Sequence, residues 1–430
     1  MSESRNVVVV DGARTPFLRS GTDYMDLMSY QLGHFAVKGL LTKTGIDPAE
    51  VGHVVMGTVI SNLKTSNVAR ESAVMAGIPN KTPCHTVTMA CISANQAIAQ
   101  AYNLIKVGKA DVAVAGGVDN TSDTPIAFRR QMRKKLFKAQ KLRGAMDSIK
   151  FLFKLRPKDF LPERPRVAEY ITNRVMGEDC DILAAKYGVT RAEQDAFAVR
   201  SHHLAHQAWE DGHLADEVSA VAFPPRFKTV TRDNGIRPDT SVDRIKKLRP
   251  AFDRKFGTLT AANSSFLTDG AACVLLMEEK KALELGYQPK ARIVDYAFTG
   301  QDLYDELLLG PAYATSKLLA ETGLDLDQMD VIEFHEAFAG QILANIKCLG
   351  SDEFAQAQLG REKAVGKVNM DKFNRWGGSL SLGHPFGATG ARLVTTASNR
   401  LQKENGKYAL VAACAAGALG HAMILEKYTS

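Results

Sequence analysis

Short, fully apolar runs alternate along the chain with longer stretches in which apolar residues recur at helical spacing. Runs of the first kind, such as 7–10 and 112–115, are typical of strands that helices cover on both faces. Stretches of the second kind, such as 92–107, which Gly108 follows, predict helices. The alternation predicts an α/β protein. Strands are expected in a first half at 7–11, 54–60, 86–89, 111–115 and 272–278, and in a second half at 291–297, 331–333, 409–413 and 422–426.

The helix and strand predicted at 92–115 have a counterpart at 388–413, because each helical stretch is followed by Gly-Lys, an apolar strand and small residues. This repeat indicates two related α/β halves. Between Gly117 and about Arg249 the alternation of strands and helices stops, which predicts an insertion. Within the insertion, Thr190–Glu193 has the pattern of a capping box, so a helix is expected to begin there.

The positive charge of the chain is concentrated in this insertion. The net charge is +7, and the segment 129–158, with twelve basic residues and the single acid Asp147, contributes +11, which leaves −4 for the rest. Large apolar residues interleave with the cations, especially at 149–155, which is unfavourable on a free surface. We expect docking on a membrane surface, on a partner subunit, or on both. The residues expected at this surface are Arg129, Arg130, Arg133, Lys134, Lys135, Lys138 and Lys141.

Two other interpretations of the basic segment are weaker. A solvated basic helix is the usual explanation of a charge run, but it does not account for the dense apolar residues. Nucleic acid is disfavoured as a partner, because no DNA- or RNA-binding motif accompanies the charge.

The composition sets broad limits. With 430 residues, 45% hydrophobic and 23% charged, the chain has the composition of a soluble globular protein and is long enough for two to three domains. No apolar run approaches the roughly 20 residues that a membrane-spanning helix needs. The N-terminus enters the first predicted strand without the pattern of a signal or transit peptide. We therefore expect a cytoplasmic protein, or a mature organellar one that has already been processed.

The cysteines and histidines do not form a metal-binding pattern. The six cysteines are scattered without a Cys-x-x-Cys pair, which argues against a structural zinc site and a disulfide framework, and favours a reducing compartment. His202 and His206 share a helix face, but they lack the intervening glutamate of metalloproteases and an obvious third ligand. The sequence has no Gly-x-Gly-x-x-Gly fingerprint. We expect neither a metal nor a redox cofactor.

Cys91 stands where an extended run, 86–90, turns into a predicted helix. A helix N-terminus carries a partial positive charge and unpaired N–H groups, which both favour a thiolate. On this ground we expect a lowered pKa for Cys91 and a nucleophilic sulfur. The alternative is a small buried cysteine that only fills space.

Two residues near the C-terminus could complete such a site. His384 stands in a glycine-dense run, 377–392, and neutral imidazole is the usual base for a thiol near neutral pH. Cys414 stands at the end of an apolar strand, before small residues that would let a ligand approach the backbone closely. A second thiol could exchange a proton with a thiol substrate of similar pKa.

These segments carry a family resemblance. Four of them together resemble the thiolases: the run Met89–Asn95, the His-Glu-Ala-Phe run at 335–338, the Gly-His-Pro-Phe-Gly-Ala-Thr-Gly run at 383–390, and Cys414 in its small-residue loop. The resemblance extends over the whole chain. It is strongest to the thiolase subunits of fatty-acid oxidation complexes, since most thiolases have asparagine in place of His335 and since this chain has a long basic insertion.

The resemblance implies a thiolase fold, in which two duplicated α/β halves form a five-layered αβαβα core and a loop domain is inserted into the first half. The N-terminal half is then expected at 1–123 together with 250–285, and the C-terminal half at 286–430. The inserted loop domain, at 124–249, would carry the basic segment and face CoA and a partner or membrane.

The resemblance also implies 3-ketoacyl-CoA thiolase activity in fatty-acid β-oxidation, in which CoA cleaves a 3-ketoacyl-CoA to acetyl-CoA and a shortened acyl-CoA. Cys91 would attack the 3-keto carbonyl and hold the acyl chain as a thioester. His384 would take the thiol proton, and Cys414 would protonate the departing enolate and later deprotonate CoA. The backbone N–H groups of Cys91 and Ala416 would stabilise one oxyanion, and His335 with His384 the other.

Further roles are implied only by position in the family. Ser265 and Met176 would line the path of the CoA pantetheine, with CoA as a substrate and no cofactor required. Whether His335 contacts the substrate oxygen directly or through a water stays open. The implied partners are a second copy of the chain and an alpha subunit with enoyl-CoA hydratase and 3-hydroxyacyl-CoA dehydrogenase activities.

Three alternative functions compete with this one. A biosynthetic acetoacetyl-CoA thiolase differs in chain-length preference. A condensing synthase on the same scaffold pairs the nucleophilic cysteine with two histidines or with histidine and asparagine, so the second thiol, Cys414, favours a thiolase. A non-catalytic acyl-CoA-binding scaffold would not need a reactive Cys91, which thiol alkylation can test.

Overall fold

The computed structural model describes residues 5–163, 168–225 and 227–429. Its strands are β1 (Val7–Arg14), β2 (Leu18–Arg19), β3 (His53–Gly57), β4 (Cys84–Val87), β5 (Val112–Asp119), β6 (Val221–Ala222), β7 (Thr229–Val230), β8 (Thr268–Glu278), β9 (Ala291–Gly300), β10 (Met329–Phe334), β11 (Tyr408–Ala415) and β12 (Leu419–Lys427). Its α-helices are α1 (Ser29–Thr44), α2 (Val68–Ala76), α3 (Ser93–Lys106), α4 (Arg130–Ala139), α5 (Ala145–Leu152), α6 (Met176–Lys186), α7 (Arg191–Glu210), α8 (Val242–Ile245), α9 (Glu279–Glu284), α10 (Gly310–Thr322), α11 (Ala339–Leu349), α12 (Asp352–Gln358), α13 (Ser379–Leu382) and α14 (Thr389–Lys403).

The strands repeat one pairing pattern. In the first half, β1 pairs antiparallel with β8, β8 antiparallel with β5, and β5 parallel with β3, beyond which β4 forms the end of the sheet. The second half repeats this pattern: β9 pairs antiparallel with β12, β12 antiparallel with β11, and β11 parallel with β10. A short antiparallel pairing of β1 with β9 joins the halves. The predicted duplication is therefore confirmed.

The helices and strands form five layers. Helices α1 and α2 share one hydrophobic cluster with the strands of the first half. Helices α3 and α14 share a second cluster with strands of both halves, so they lie between the two parts of the sheet. Helices α10 and α11 pack with the strands of the second half in a third cluster. This arrangement confirms the predicted αβαβα core.

The local predictions agree with this fold. Each predicted strand is present, although β5 extends four residues beyond its predicted end, to Asp119, whereas β3 and β4 end three and two residues before theirs, at Gly57 and Val87. The capping box at the start of α7 is formed, because the Thr190 N–H donates to Glu193 Oε2 at 2.6 Å and the Glu193 N–H donates to Thr190 Oγ1 at 3.2 Å. Among the described residues, no helix is both long and apolar enough to cross a membrane.

The predicted insertion consists of two parts in the structure. Residues 124–168 form a compact unit of their own, which contains α4 and α5. The later part, with α6, α7 and α8, belongs to the larger unit that holds both α/β halves. The separate unit is thus shorter than the loop domain expected at 124–249, whose bounds stay a prediction.

Candidate active site

Cys91 lies in a tight turn between β4 and α3. Ala90, which precedes it, has a φ of 46°, a left-handed conformation that residues with a side chain seldom adopt. The Ser93 hydroxyl stabilises the turn, because it accepts a hydrogen bond from the Met89 N–H at 2.8 Å and donates one to the Ala90 carbonyl at 2.7 Å. Strained backbone is concentrated at functional sites, and here it positions the residue that the sequence predicts as the nucleophile.

The surroundings of Cys91 correct one expectation. The residue is partly exposed, and α3 begins two residues after it. Burial of the sulfur raises the pKa of Cys91 to about 12, although the backbone N–H groups of Ala416 and of Cys91 itself act to lower it. The predicted lowering of the pKa was wrong, because desolvation outweighs these two donors. Cys91 is therefore a thiol in the resting site, and it needs a base.

His384 follows α13 and is almost completely buried. Its backbone N–H donates to the Thr268 hydroxyl at 2.9 Å, which fixes this loop to β8. Its Nδ1 lies 2.6 Å from Thr389 Oγ1, and its Nε2 is buried without a hydrogen-bond partner among the described residues. Burial, together with the nearby Arg392 guanidinium, lowers the pKa of His384 to about 3. The ring is therefore neutral near pH 7 and can accept a proton.

His335 follows β10, and its backbone N–H continues the parallel pairing by donating to the Ala412 carbonyl at 2.8 Å. The side chain is fully buried, and its ring centroid lies 4.0 Å from that of His384. Nδ1 lies 2.9 Å from Ser379 Oγ, and Nε2 is buried without a partner in the described part of the chain. Burial, with further contributions from His384 and Arg392, holds the pKa of His335 well below its usual range. This ring is also neutral.

The structure brings three predicted residues together. The Cys91 sulfur and one ring nitrogen each of His335 and His384 lie within 4.8 Å of one another. Because hydroxyl groups already occupy Nδ1 of both rings, the nitrogens available to this cluster are the two Nε2 atoms. A thiol and two imidazoles are zinc ligands by type. They are equally a nucleophile, a base and a hydrogen-bond donor, which is the set that acyl transfer needs.

Cys414 belongs to the same site. It lies one residue before the end of β11 and is buried, which raises its pKa, and the nearby Cys91 raises it further. After β11 the chain turns through Gly417 and Ala418, whose φ angles are 82° and 53°. The Ala416 N–H, just before this turn, acts to lower the pKa of Cys91 and so lies near its sulfur. The second thiol and the predicted oxyanion donor therefore both lie beside the nucleophile.

Asp119, at the end of β5, is a residue that the sequence analysis missed. Its carboxylate accepts hydrogen bonds from the Ile60 N–H at 2.8 Å and from the Gly387 N–H at 2.5 Å. Burial raises its pKa to about 6, although these donors favour the charged form. A Cβ atom on Gly117 would lie 1.9 Å from the Gly387 carbonyl oxygen, so glycine is required for this close approach. The sequence did contain a signal for Asp119, because it is the one acidic residue of β5 and ends a strand that is otherwise apolar.

The two residues expected to line the CoA path lie in different surroundings. Ser265 is half-buried, and its backbone N–H donates to the Ala337 carbonyl at 2.9 Å, so it lies beside the segment that follows His335. Met176 is the first residue of α6 and packs against the hydrophobic cluster of the second half. Ser265 is thus joined to the backbone of the site, whereas Met176 belongs to the packing around α6. The CoA-binding role of both stays a prediction.

The basic residues expected at a docking surface lie on and beside α4, within the unit formed by residues 124–168. Lys135 is half-buried and pairs with Asp159 at 2.6 Å. The others are exposed: Arg129, Arg130, Arg133, Lys134, Lys138 and Lys141. A cavity of about 610 Å³ in this unit is lined by Gln131, Lys134, Lys135, Phe153, Lys154, Arg156, Lys158 and Asp159.

Comparison with known proteins agrees with this geometry. The family model of the thiolase N-terminal domain matches residues 7–280, and that of the thiolase C-terminal domain matches residues 287–427. Together the two matches cover both α/β halves.

Similar proteins cover almost the whole chain. The mitochondrial trifunctional enzyme subunit beta is 55% identical in Bos taurus and 54% in Homo sapiens, over 99% of this chain and 89% of each relative. A 3-ketoacyl-CoA thiolase from Serratia proteamaculans (strain 568) is 44% identical over 98% of this chain and 96% of the relative. Among solved structures, a human mitochondrial 3-ketoacyl-CoA thiolase has a TM-score of 0.83 at 29% identity and 99% coverage of both chains. A Bacillus anthracis acetyl-CoA acetyltransferase has a TM-score of 0.85 at 31% identity and covers both chains completely.

Proposed function

The chain belongs to the thiolase family, and from this membership we propose how its active-site residues divide the reaction. The chain is a 3-ketoacyl-CoA thiolase, an acyltransferase of fatty-acid β-oxidation. The observation that supports the division of roles is the cluster of the Cys91 sulfur with one ring nitrogen each of His335 and His384, within 4.8 Å.

In the first half-reaction, Cys91 attacks the 3-keto carbon of the substrate. Because the thiol is protonated at rest, its proton must leave during the attack, and the unpartnered Nε2 of neutral His384 accepts it. The bond between C2 and C3 of the substrate then breaks. The electron pair leaves on the acetyl-CoA enolate, which takes a proton from the Cys414 thiol, and the shortened acyl group stays on Cys91 as a thioester.

In the second half-reaction, Cys414 acts in the opposite direction. The thiolate that the first step leaves at Cys414 accepts the proton of the incoming CoA thiol. The CoA sulfur attacks the acyl thioester, and the shortened acyl-CoA leaves as Cys91 regains its proton from His384. A thiol suits this exchange because its ordinary pKa is close to that of CoA.

Two sets of donors stabilise the oxyanions. We assign the oxygen of the thioester tetrahedral intermediate to the backbone N–H groups of Cys91 and Ala416, which both act to lower the pKa of the Cys91 thiol at rest. The corresponding donors for the substrate carbonyl oxygen are His335 Nε2 and, once it has taken the proton of Cys91, His384 Nε2. Neither nitrogen has a hydrogen-bond partner among the described residues, which supports this role, because a buried polar nitrogen is rarely left without one unless a ligand provides it.

CoA reaches the site past the residues that flank the segment after His335. We place Ser265 on this path because its backbone N–H donates to the carbonyl of Ala337, in the segment after His335. We place Met176 on the same path on the basis of family position alone.

Preference for long or short acyl chains separates this function from a biosynthetic acetoacetyl-CoA thiolase, and rates measured with 3-ketoacyl-CoAs of four to sixteen carbons decide between them.

We propose that the chain is one subunit of a larger complex, together with an alpha subunit that carries enoyl-CoA hydratase and 3-hydroxyacyl-CoA dehydrogenase activities. The names of the beta-subunit relatives support this assembly. We also propose a dimer of this chain. Support comes from β4, the strand at one end of the sheet, whose four residues are only half-buried. A second copy could cover this edge, which leads directly to Cys91.

The unit formed by residues 124–168 is proposed to bind an anionic membrane surface. Its helices combine exposed cations with exposed aromatic residues, among them Phe137 at 68% and Phe153 at 88% exposure. Such a combination is typical of helices that lie in the headgroup region of a bilayer. Lys135 is held by Asp159 and supports the unit itself, so the exposed cations Lys134, Lys138 and Lys141 are the groups that attract lipid phosphates.

The division of roles is tested by Cys91→Ala. The variant should fold normally, because the residue is small and partly exposed, yet lose thiolysis by several orders of magnitude, since the acyl group has no covalent carrier. Cys84→Ala, at another half-buried cysteine, is the matched control and should retain activity. Retention of more than about a tenth of wild-type thiolysis by Cys91→Ala would refute the assignment, because loss of a nucleophile usually costs far more.

A further inference from the structure

The Ser379 hydroxyl lies between a donor and a ring nitrogen. Arg392 Nη2 donates to Ser379 Oγ at 3.1 Å, and His335 Nδ1 lies 2.9 Å from the same oxygen. A guanidinium has only donors, so the Ser379 oxygen must accept from Arg392. The single hydroxyl proton is then directed to His335 Nδ1, the other hydrogen-bond partner that this hydroxyl has among the described residues. All three side chains are fully buried, which strengthens both hydrogen bonds.

The position of Arg392 is itself fixed. The residue is completely buried in α14, and its Nη1 lies 3.6 Å from Glu333 Oε2. Glu333 belongs to β10, two residues before His335, and also pairs with Arg400 at 2.7 Å. The charge of Arg392 is therefore compensated from the same strand that leads to His335, and the guanidinium is held where it reaches Ser379.

This arrangement determines which nitrogen of His335 carries the proton. A neutral imidazole has one N–H and one lone pair. Since Nδ1 accepts from Ser379, the proton lies on Nε2. This nitrogen is buried, has no hydrogen-bond partner in the part of the chain that the structure describes, and is available to the cluster with Cys91. His335 thus presents a donor to the site. The same tautomer leaves no lone pair at Nε2 for a metal ion, which separates this cluster from a zinc site.

The second histidine has the opposite arrangement. Its hydroxyl partner, Thr389, has an acceptor of its own, because Oγ1 donates to the Pro385 carbonyl at 3.1 Å. The Thr389 oxygen therefore accepts from His384 Nδ1–H at 2.6 Å, which leaves a lone pair on His384 Nε2. One ring presents a donor and its neighbour presents an acceptor.

We propose that Ser379 and Arg392 are positioning residues for thiolysis, which hold His335 in the Nε2–H tautomer so that it donates directly to the substrate oxyanion. This inference rests on the proposed roles of Cys91, His335 and His384. Without Ser379, His335 would divide between two tautomers, and only one of them could donate. The effect is expected in the transition state, where the oxygen becomes charged, rather than in substrate binding.

The tautomer can be observed directly by NMR in protein labelled with ¹⁵N at its ten histidines. The His335 signals are identified by their loss in His335→Asn. In the wild type, Nδ1 should show the shift of an unprotonated nitrogen and Nε2 that of an N–H. In Ser379→Ala both signals should move to intermediate values. Protonated Nδ1 in the wild type would overturn the proposal, whatever the activities are.

Kinetics test the consequence. Ser379→Ala should lower kcat about tenfold with KM nearly unchanged, a smaller loss than the 10²–10³ that removal of an oxyanion donor itself causes. Ser381→Ala is the matched control. Ser381 lies two residues further on in α13, is equally buried, and bonds to Ser201 and to the Gly378 carbonyl instead of a histidine. Ser379→Cys, with a weaker donor, serves as a second variant if Ser379→Ala folds poorly.

A double-mutant cycle separates positioning from mere packing. In the His335→Asn background, where no tautomer needs to be fixed, Ser379→Ala should change kcat by less than about twofold. An equal loss in both backgrounds, or a loss no larger than that of Ser381→Ala, would overturn the proposal. Failure of the underlying function is distinguishable, because it would appear as thiolysis retained by Cys91→Ala.

Discussion

The imidazole rings of His335 and His384 lie against each other, with centroids 4.0 Å apart and planes inclined by 40°. Proximity to His384 adds to burial in lowering the pKa of His335, whereas burial and Arg392 lower that of His384, so both rings are neutral. The pKa of His384 is lowered to about 3, and that of Cys91 is raised to about 12. The resting site therefore holds a thiol beside neutral imidazoles, not a thiolate beside an imidazolium.

This protonation state predicts how Cys91 reacts with pH. Its alkylation by iodoacetamide should accelerate about tenfold per pH unit up to at least about pH 9, because the thiolate fraction rises tenfold per unit below the pKa. Peptide mass spectrometry measures the rate, and the half-buried Cys84 is the internal reference. A rate that reaches a plateau below pH 7 would indicate a stabilised thiolate and contradict this description of the site.

Replacement of Cys414 by serine should slow both half-reactions. A serine hydroxyl fills nearly the same space, but its pKa is far too high for it to exchange protons with CoA, so we expect a loss of about 10²–10⁴ in kcat. Cys91 should still be labelled by a reactive acyl analogue, which shows that the nucleophile is intact. Rates equal to those of the wild type would place Cys414 among the structural residues.

Thr389→Val tests the residue that orients His384. Valine keeps the shape of threonine but cannot accept from Nδ1–H, so the ring loses its fixed tautomer, and kcat/KM should fall about ten- to a hundredfold. Thr395→Val is the matched control, since Thr395 is a buried threonine of the same helix whose hydroxyl donates to the Ala391 carbonyl. Equal losses in the two variants would show that only packing in α14 matters.

Reversal of charge on α4 tests the proposed membrane surface. A variant with Lys134, Lys138 and Lys141 replaced by glutamate, and Lys135 retained because of its pair with Asp159, should sediment less with anionic liposomes and should show the same thiolysis of a short soluble substrate. Neutral liposomes are the control for charge, and capture of the alpha subunit is measured in parallel. If only that capture weakens, the surface binds a protein. If neither changes, the unit is a solvated face.

The sequence allowed prediction of the fold because each of the nine long strands that the structure describes has its own local signal, whereas the two-residue strands β2, β6 and β7 were not predicted. The apolar runs at 7–10 and 112–115 are buried on both faces in β1 and β5, so their composition reflects their surroundings. Cys91, His384 and Cys414 could be singled out because each stands where a strand or loop meets a turn of small residues. Prediction thus succeeded where the residues next to one another in the sequence reflect the place of the segment in the fold.

Other features could not be predicted because they depend on contacts distant in the sequence. The pKa of Cys91 is raised by burial in the folded protein, which no local pattern reports, and the Ala416 N–H from a distant loop offsets this only in part. Ser379 lies in the glycine-dense run that drew attention to His384, but its function requires His335 and Arg392, both of which the fold brings to it. The position of Cys91 at a helix terminus therefore predicted the wrong direction for its pKa shift, because that argument leaves out burial.

The most direct test of the central claim is capture of the acyl-enzyme. The purified protein is mixed with 3-ketooctanoyl-CoA in the absence of free CoA, quenched in acid and analysed by peptide mass spectrometry. A hexanoyl group on Cys91, released when CoA is added and absent from the Cys91→Ala variant, is the predicted result. Acetyl-CoA formation without an adduct on Cys91, or an adduct on Cys414 instead, would contradict the account.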